Sequence, residues 1–206
     1  MVERVLLATR SAGKIRELRA LFAAHAGGIV VIGLDDAGVR AMRDEDALES
    51  ADTFEENALA KARYFQRRTG LATVADDSGL CVDALGGAPG VHSKRWSGRS
   101  DLEALALDDA NNALLLDRLS GVATRRARYV CAAAFTDGSR EIVERGESAG
   151  VITAAPRGGG GFGYDPYFLS DELGRTFGEV SLEEKASVSH RARAFRKLVT
   201  RLLSGA

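Results

Sequence analysis

With 206 residues, 45% of them hydrophobic and 28% charged, the chain has an ordinary globular composition, long enough to bury a substantial core. Its 28 basic and 29 acidic residues leave a net charge of −1, which excludes a protein built to coat a nucleic-acid polymer or an anionic membrane. No apolar run reaches the roughly 20 residues of a membrane span, Met1 to Arg4 open no secretory pattern, and Cys81 and Cys131 are too few for a disulfide framework, so a cytoplasmic protein is expected.

Arg4 to Thr9 is a short apolar run ending in small polar residues, as a buried strand does, and Ile15, Leu18, Leu21 and Phe22 follow at helical spacing. The junction, Thr9-Arg10-Ser11-Ala12-Gly13-Lys14, exposes unpaired N–H groups at a positive helix end and suits an anion, with Lys14 adding a compact charge. An ordinary turn with a solvated lysine fits the same residues. It is not a Walker A loop, because the first glycine and the hydroxyl residue after the lysine are missing. Residues 29–34 read as a second strand and 43–49 as a solvated acidic loop. Thr53 to Glu56 is a capping box that opens a helix with Phe54, Ala58, Ala62 and Phe65 on one face. Asn57 and Lys61 lie one turn apart on that helix, either presenting an amide and an ammonium to a phosphate or facing solvent.

Leu71 to Ala75 reads as a strand, followed at once by Asp76-Asp77-Ser78-Gly79. Consecutive extended residues point to opposite faces, so at most one of the two acids serves a given cleft. There a carboxylate holds Mg²⁺ or acts as a general base; an acceptor-rich turn is the plain alternative. The glycine-rich stretch from Leu85 to Ser93 is too long for a simple connection and suits the wall of a site. A second capping box, Ser100 to Glu103, predicts a helix through Leu119. Residues 128–135 and 141–147 form a hairpin around Asp137-Gly138, and Val151-Ile152 is strand-like.

The run Gly158 to Gly163 contains a formal G-x-G-x-x-G, but it opens no helix and lacks a βαβ setting, so a dinucleotide site is rejected. What remains is a backbone delivering Phe162, Tyr164 and Asp165. An aromatic face and a carboxylate suit stacking on a base and accepting from its ring N–H; buried aromatics anchoring a glycine loop fit equally. Lys185 and Ser189-His190-Arg191 precede and open the last helix, whose stripe is Phe195, Leu198, Val199, Leu202 and Leu203. Arg191 offers a rigid donor fork and His190 a second donor, or Ser189 simply caps the helix. Early alternation of strands and helices with a late hairpin predicts an α/β protein with a mixed sheet.

Taken in order, these segments resemble the inosine/xanthosine triphosphate pyrophosphatase family, which acts on non-canonical purine nucleotides. The resemblance is carried by Thr53 to Ala58 with Lys61-Ala62, Ala75 to Leu80, Leu85 to Gly90, Phe162 to Pro166, and Ser189-His190-Arg191. It implies Mg²⁺-dependent hydrolysis of ITP, dITP and XTP to the monophosphate and pyrophosphate. It also implies an elongated mixed β-sheet with flanking helices, two lobes around a central substrate cleft, a single domain over residues 1–206, and a homodimer. By the same resemblance Thr9, Arg10, Ser11, Ala12, Gly13 and Lys14 bind the triphosphate together with Lys61, and Asn57 joins the substrate-binding residues. Asp77 is general base and metal-side carboxylate, and Ser78 lies beside the substrate. Phe162, Gly163, Tyr164 and Asp165 hold the base, and Lys185, His190 and Arg191 complete its pocket. Donors at His190 and Arg191 match the 6-oxo acceptor of hypoxanthine and xanthine, not the amino group of adenine. The chain departs from the family pattern at Ser11, where asparagine is usual, and at Arg10, which replaces a small residue. Glu49 is preferred as the second metal-side carboxylate, with Glu45 the alternative. Rival expectations are a related pyrophosphatase of modified pyrimidine triphosphates, a nucleotide sensor that does not hydrolyse its ligand, and a structural α/β domain.

Overall fold

Arg4–Leu7 forms β1, and its apolar side chains are buried on both faces because β1 pairs parallel with strands on either side. The computed structural model describes residues 3–204. After β1 come α1 (Ala12–His25), β2 (Val30–Gly33), α2 (Phe54–Thr69), β3 (Thr73–Val82) and α3 (Ala104–Arg118). They are followed by β4 (Arg126–Thr136), β5 (Glu141–Ile152), β6 (Phe168–Ser170), α4 (Leu182–Val188) and α5 (His190–Ser204). The six strands form one sheet in the order β2-β1-β3-β4-β5-β6. The sheet is mixed, since β1 pairs parallel with β2 and β3 whereas β5 pairs antiparallel with β6. No helix among the described residues is long and apolar enough to cross a membrane.

The chain forms two compact units, one of residues 3–77, 131–146 and 190–204, the other of 78–130 and 147–189. In the first unit the step from β1 to β2 and the step from β2 to β3 run in opposite directions along the sheet. Right-handed crossovers therefore send α1 and α2 to opposite faces. Leu18, Leu21 and Phe22 of α1 share a core with Phe195, Leu198 and Leu202 of α5, and Val74 and Ala133 supply its sheet side. Phe54, Ala58, Ala62 and Phe65 are the apolar stripe that α2 buries. In the second unit Leu80, Leu115, Tyr129, Tyr164, Phe168 and Phe177 form a separate core.

Four local expectations are revised. β3 does not stop at Ala75 but runs through the acidic pair to Val82. Residues 43–49 are a 3-10 helix (Arg43–Glu49) rather than a loop, held where Tyr64 donates to Asp44 at 3.0 Å and Arg10 to Glu45 at 2.7 Å. The Ser100 box does not form: Ser100 N–H bonds back to Gly98 in a turn, and α3 starts after Glu103. The last helix starts where expected, and a short helix not read from the sequence, α4, precedes it. Ser181 and Glu184 make a reciprocal cap for α4, and Ser189, in extended conformation, separates α4 from α5. β5 absorbs Val151-Ile152. The hairpin turn is as expected, with Asp137 Oδ1 accepting from the N–H groups of Ser139 and Arg140 and Gly138 at φ +94°.

Close approach of α5 to β5 rests on one missing side chain. A Cβ on Gly146 would lie 2.2 Å from the His190 carbonyl and 2.5 Å from the Ala194 nitrogen, both backbone atoms that cannot swing away. Gly146→Ala is therefore expected to cost at least about 2 kcal/mol, read from its urea midpoint against wild type.

Candidate active site

Inside β3, Asp76 and Asp77 stand in sequence but belong to different surroundings. Asp76 shares the parity of Val74 and so faces α1 and α5; Asp77 faces α2. Asp76 is buried, and its Oδ2 lies 3.0 Å from Lys14 Nζ and 3.2 Å from Arg191 Nε. Arg191 Nη1 in turn donates to Glu17 on α1. Burial alone would raise the Asp76 carboxyl, but the charges of Lys14, Arg191 and Lys61 outweigh it and hold it well below its ordinary value. Burial would lower the Arg191 guanidinium, and Glu17 and Asp76 instead push it up. The neighbouring Cys131 thiol is pushed up by burial and by Asp76, so it is no nucleophile.

On the other face Asp77 Oδ2 accepts from Asn57 Nδ2 at 3.0 Å, and its Oδ1 lies 3.6 Å from Lys61 Nζ. Lys61 also reaches Glu49 at 2.5 Å and donates to the Asp76 carbonyl. Burial lifts the Asp77 carboxyl above its ordinary value, with Glu49 adding to the rise and Lys61 opposing it. Burial would lower the Lys61 ammonium, yet Glu49, Asp77 and Asp76 together hold it above its ordinary value. The result is a carboxylate beside a fixed cation, the pair a base and a phosphate-binding group require.

The remaining residues of the first unit are sorted by their partners. Ser11 caps α1 by accepting from Lys14 N–H, and its own N–H bonds Thr9 Oγ1 at 3.2 Å, while Ala12 and Gly13 fall in the first turn of α1. Arg10 spends its fork within the protein: Nε and Nη2 grip both oxygens of Glu45, at 2.7 and 2.9 Å. Both metal-side candidates are ion-paired, Glu45 with Arg10 and Glu49 with Lys61. Asn57 is fully buried, its amide spent on the backbone of Ala51 and on Asp77, so it orients the carboxylate rather than presenting itself to phosphate. His190 is buried at the start of α5. Arg191, engaged by two carboxylates, holds that start in place.

In the second unit Ser78 is half-buried in β3. Asp165 is not an outward acceptor. Its Oδ2 accepts from Lys185 Nζ at 2.6 Å and from Phe162 N–H at 2.9 Å, and Tyr129 OH donates to Oδ1 at 3.3 Å. A side chain at Gly161 would strike this carboxylate, at 2.2 Å from Oδ2. Lys185 Nζ also lies 5.0 Å above the Phe162 ring, a cation–π contact on a half-buried aromatic face. Tyr164 turns inward and donates to the Ser93 carbonyl at 2.8 Å, which ties it to the Leu85–Ser93 stretch. Gly163 accepts and donates to α3 through Asn112 and Asp108. Glu17, Tyr129, Asp108 and Asn112 were not singled out from sequence. Only Glu17 carried a signal there, three residues after Lys14 and hence on the same helix face.

A family model described as the Ham1 family matches residues 5–201, nearly the whole chain. The chain belongs to the Ham1 family. A protein of Frankia alni named dITP/XTP pyrophosphatase is 48% identical over 202 residues, covering 97% of this chain and 96% of its own. Another of that name, from Streptomyces avermitilis, is 50% identical over 201 residues, covering 95% of each. The solved structure of a HAM1 protein from Coxiella burnetii superposes with a TM-score of 0.83 at 33% identity, over 100% of both chains. Among Ham1 relatives this chain is therefore matched end to end, in sequence and in fold.

Asp76→Asn removes the carboxylate that two buried cations share, so it is expected to cost on the order of 3 kcal/mol at pH 7 by chemical unfolding. Because the folded-state pKa of Asp76 is depressed, its contribution persists down to the unfolded carboxylate value and fades only at lower pH. Wild type and Asp76→Asn should therefore keep a constant gap from pH 7 to about 4 and converge below it.

Proposed function

We propose that the chain hydrolyses deaminated purine nucleoside triphosphates, ITP, dITP and XTP, to the monophosphate and pyrophosphate, and so clears them from the nucleotide pool. The observation that carries this reading is the buried Asp77 carboxylate, oriented by Asn57 and standing 3.6 Å from Lys61, in a Ham1-family chain. The names borne by its Frankia and Streptomyces relatives support the substrate class.

In this reading Lys14, Lys61 and the first turn of α1 bind the triphosphate, with Thr9 and Ser11 shaping that turn. Asp77 accepts a proton from a water whose oxygen bonds the α-phosphorus as the bond to the bridging oxygen breaks and pyrophosphate leaves. The donor set fits Mg²⁺: Asp77 and Glu49 offer hard carboxylate oxygens on either side of one ammonium. Among the described residues no group of three or more His, Cys, Asp or Glu side chains could hold a metal ion. Two carboxylates suit an ion that completes its shell with water and phosphate oxygens. When bound, Mg²⁺ would neutralise charge on the phosphate oxygens.

Phe162 is the ring proposed to stack on a base, and Lys185 and Asp165 hold its turn; in the first unit His190 is the proposed donor to a 6-oxo oxygen, and Arg191 holds the start of α5. The reading extends to a homodimer, tested by the sedimentation mass.

Incubation with each nucleoside triphosphate and Mg²⁺ should release pyrophosphate from ITP, dITP and XTP and little from ATP. Orthophosphate as the only product, or turnover confined to pyrimidine triphosphates, would overturn the proposal. Asp77→Asn is expected to lower kcat by about a thousandfold or more while nucleotide binding, read by calorimetry, changes little. His190→Ala should reduce the ITP-over-ATP ratio of kcat/KM by at least about tenfold.

A further inference from the structure

Gly163 stands at φ +62°, a left-handed backbone that side chains rarely adopt, between Phe162 and Tyr164. Both of its backbone polar groups are gripped from one helix. Asp108 Oδ2 accepts from Gly163 N–H at 2.8 Å, and Asn112 Nδ2 donates to the Gly163 carbonyl at 3.0 Å. Asp108 and Asn112 are four residues apart on α3, so they rise from the same face, one turn from each other. Phe162 is held as completely: Asp165 Oδ2 accepts from its N–H at 2.9 Å, and Asp165 N–H donates to its carbonyl at 3.3 Å. Every backbone donor and acceptor of residues 162 and 163 is thus used within the second unit. What the turn has to offer a ligand is the Phe162 ring.

Asn112 is placed at a cost. It is buried, and its Oδ1 has no hydrogen-bond partner among the described residues. A sealed acceptor without a donor destabilises a fold, and an apolar side chain of the same size would suit the surrounding Leu115 and Leu119 core better. The amide is accounted for by the one bond it makes, to Gly163.

We propose that Asp108 and Asn112 are positioning residues that set base affinity by fixing the Gly163 turn, so that Phe162 presents its ring in one orientation beneath Lys185. The proposal deepens the base-binding role given to Phe162 above and rests on it. Neither side chain touches the nucleotide. A ring already held in place binds a purine without the cost of ordering its turn, so loosening the clamp weakens binding more than chemistry.

The test uses the full chain and two independent readouts. In Asp108→Ala the Gly163 amide should exchange with solvent at least about tenfold faster while β4 amides keep their protection, and Asp108→Asn, which retains an acceptor, should restore it. KM for dITP should rise by about tenfold in Asp108→Ala and in Asn112→Leu, with kcat within about twofold of wild type. Asn112→Leu should melt within a few degrees of wild type, and it carries the kinetic test even where Asp108→Ala fails to fold. Unchanged Gly163 exchange in Asp108→Ala, or a loosened turn with unchanged KM, overturns the proposal. The exchange readout needs no nucleotide and decides the clamp alone; a wild-type protein that does not hydrolyse dITP overturns the substrate reading and the affinity role with it.

Discussion

Two adjacent carboxylates inside a buried strand are the constraint around which the first unit is arranged. A single carboxylate removed from water is costly, and two in succession are tolerable only if each finds its own compensation. Strand alternation makes that possible by sending Asp76 to the α1 and α5 face and Asp77 to the α2 face. The crossover rule had already placed those helices on opposite sides, so each acid meets a different set of cations. Lys14 and Arg191 surround Asp76, which remains firmly ionised. Asp77 meets an amide and a shared ammonium, and burial leaves it more basic than its neighbour. One strand thereby holds two identical residues in opposite electrostatic states, Asp76 below its ordinary value and Asp77 above it.

The second unit solves a different problem, the immobilisation of a glycine-rich turn. Glycines allow Gly161 and Gly163 their left-handed backbone, and Gly161 leaves room for the Asp165 carboxylate beside it. The same freedom would leave Phe162 disordered if nothing held it. Asp165, Lys185 and Tyr129 hold the Phe162 side of the turn, and Asp108 and Asn112 hold Gly163 from α3. Polar groups that a sequence reader assigns to the ligand are consumed in holding one aromatic ring.

Much of this was legible in the sequence because it depends on neighbours along the chain. The apolar spacing of Leu18, Leu21 and Phe22 marked α1, Thr53 marked the start of α2, and Asp137-Gly138 marked the hairpin. The alternation argument for Asp76 and Asp77 needed only the geometry of an extended strand. Where local reasoning failed, a distant partner had intervened. β3 passes through two aspartates that would ordinarily end a strand, since cations from α1, α2 and α5 make their burial tolerable. Residues 43–49 coil into a 3-10 helix because Arg10 and Tyr64 bind its acids.

The sequence by itself determined which residue types were on hand for the chemistry: the order of the motifs, the α/β class and the acids, lysines and aromatics a nucleotide site needs. Tertiary structure alone decided how those groups are spent. Arg10 went to Glu45 across 35 positions, Arg191 to Asp76 across 115, and Asn57 to Asp77 across 20. Hydrogen bonds and ion pairs reach only a few ångströms, so their partners are set by where the folded backbone brings residues together, and no periodicity in the chain encodes such separations.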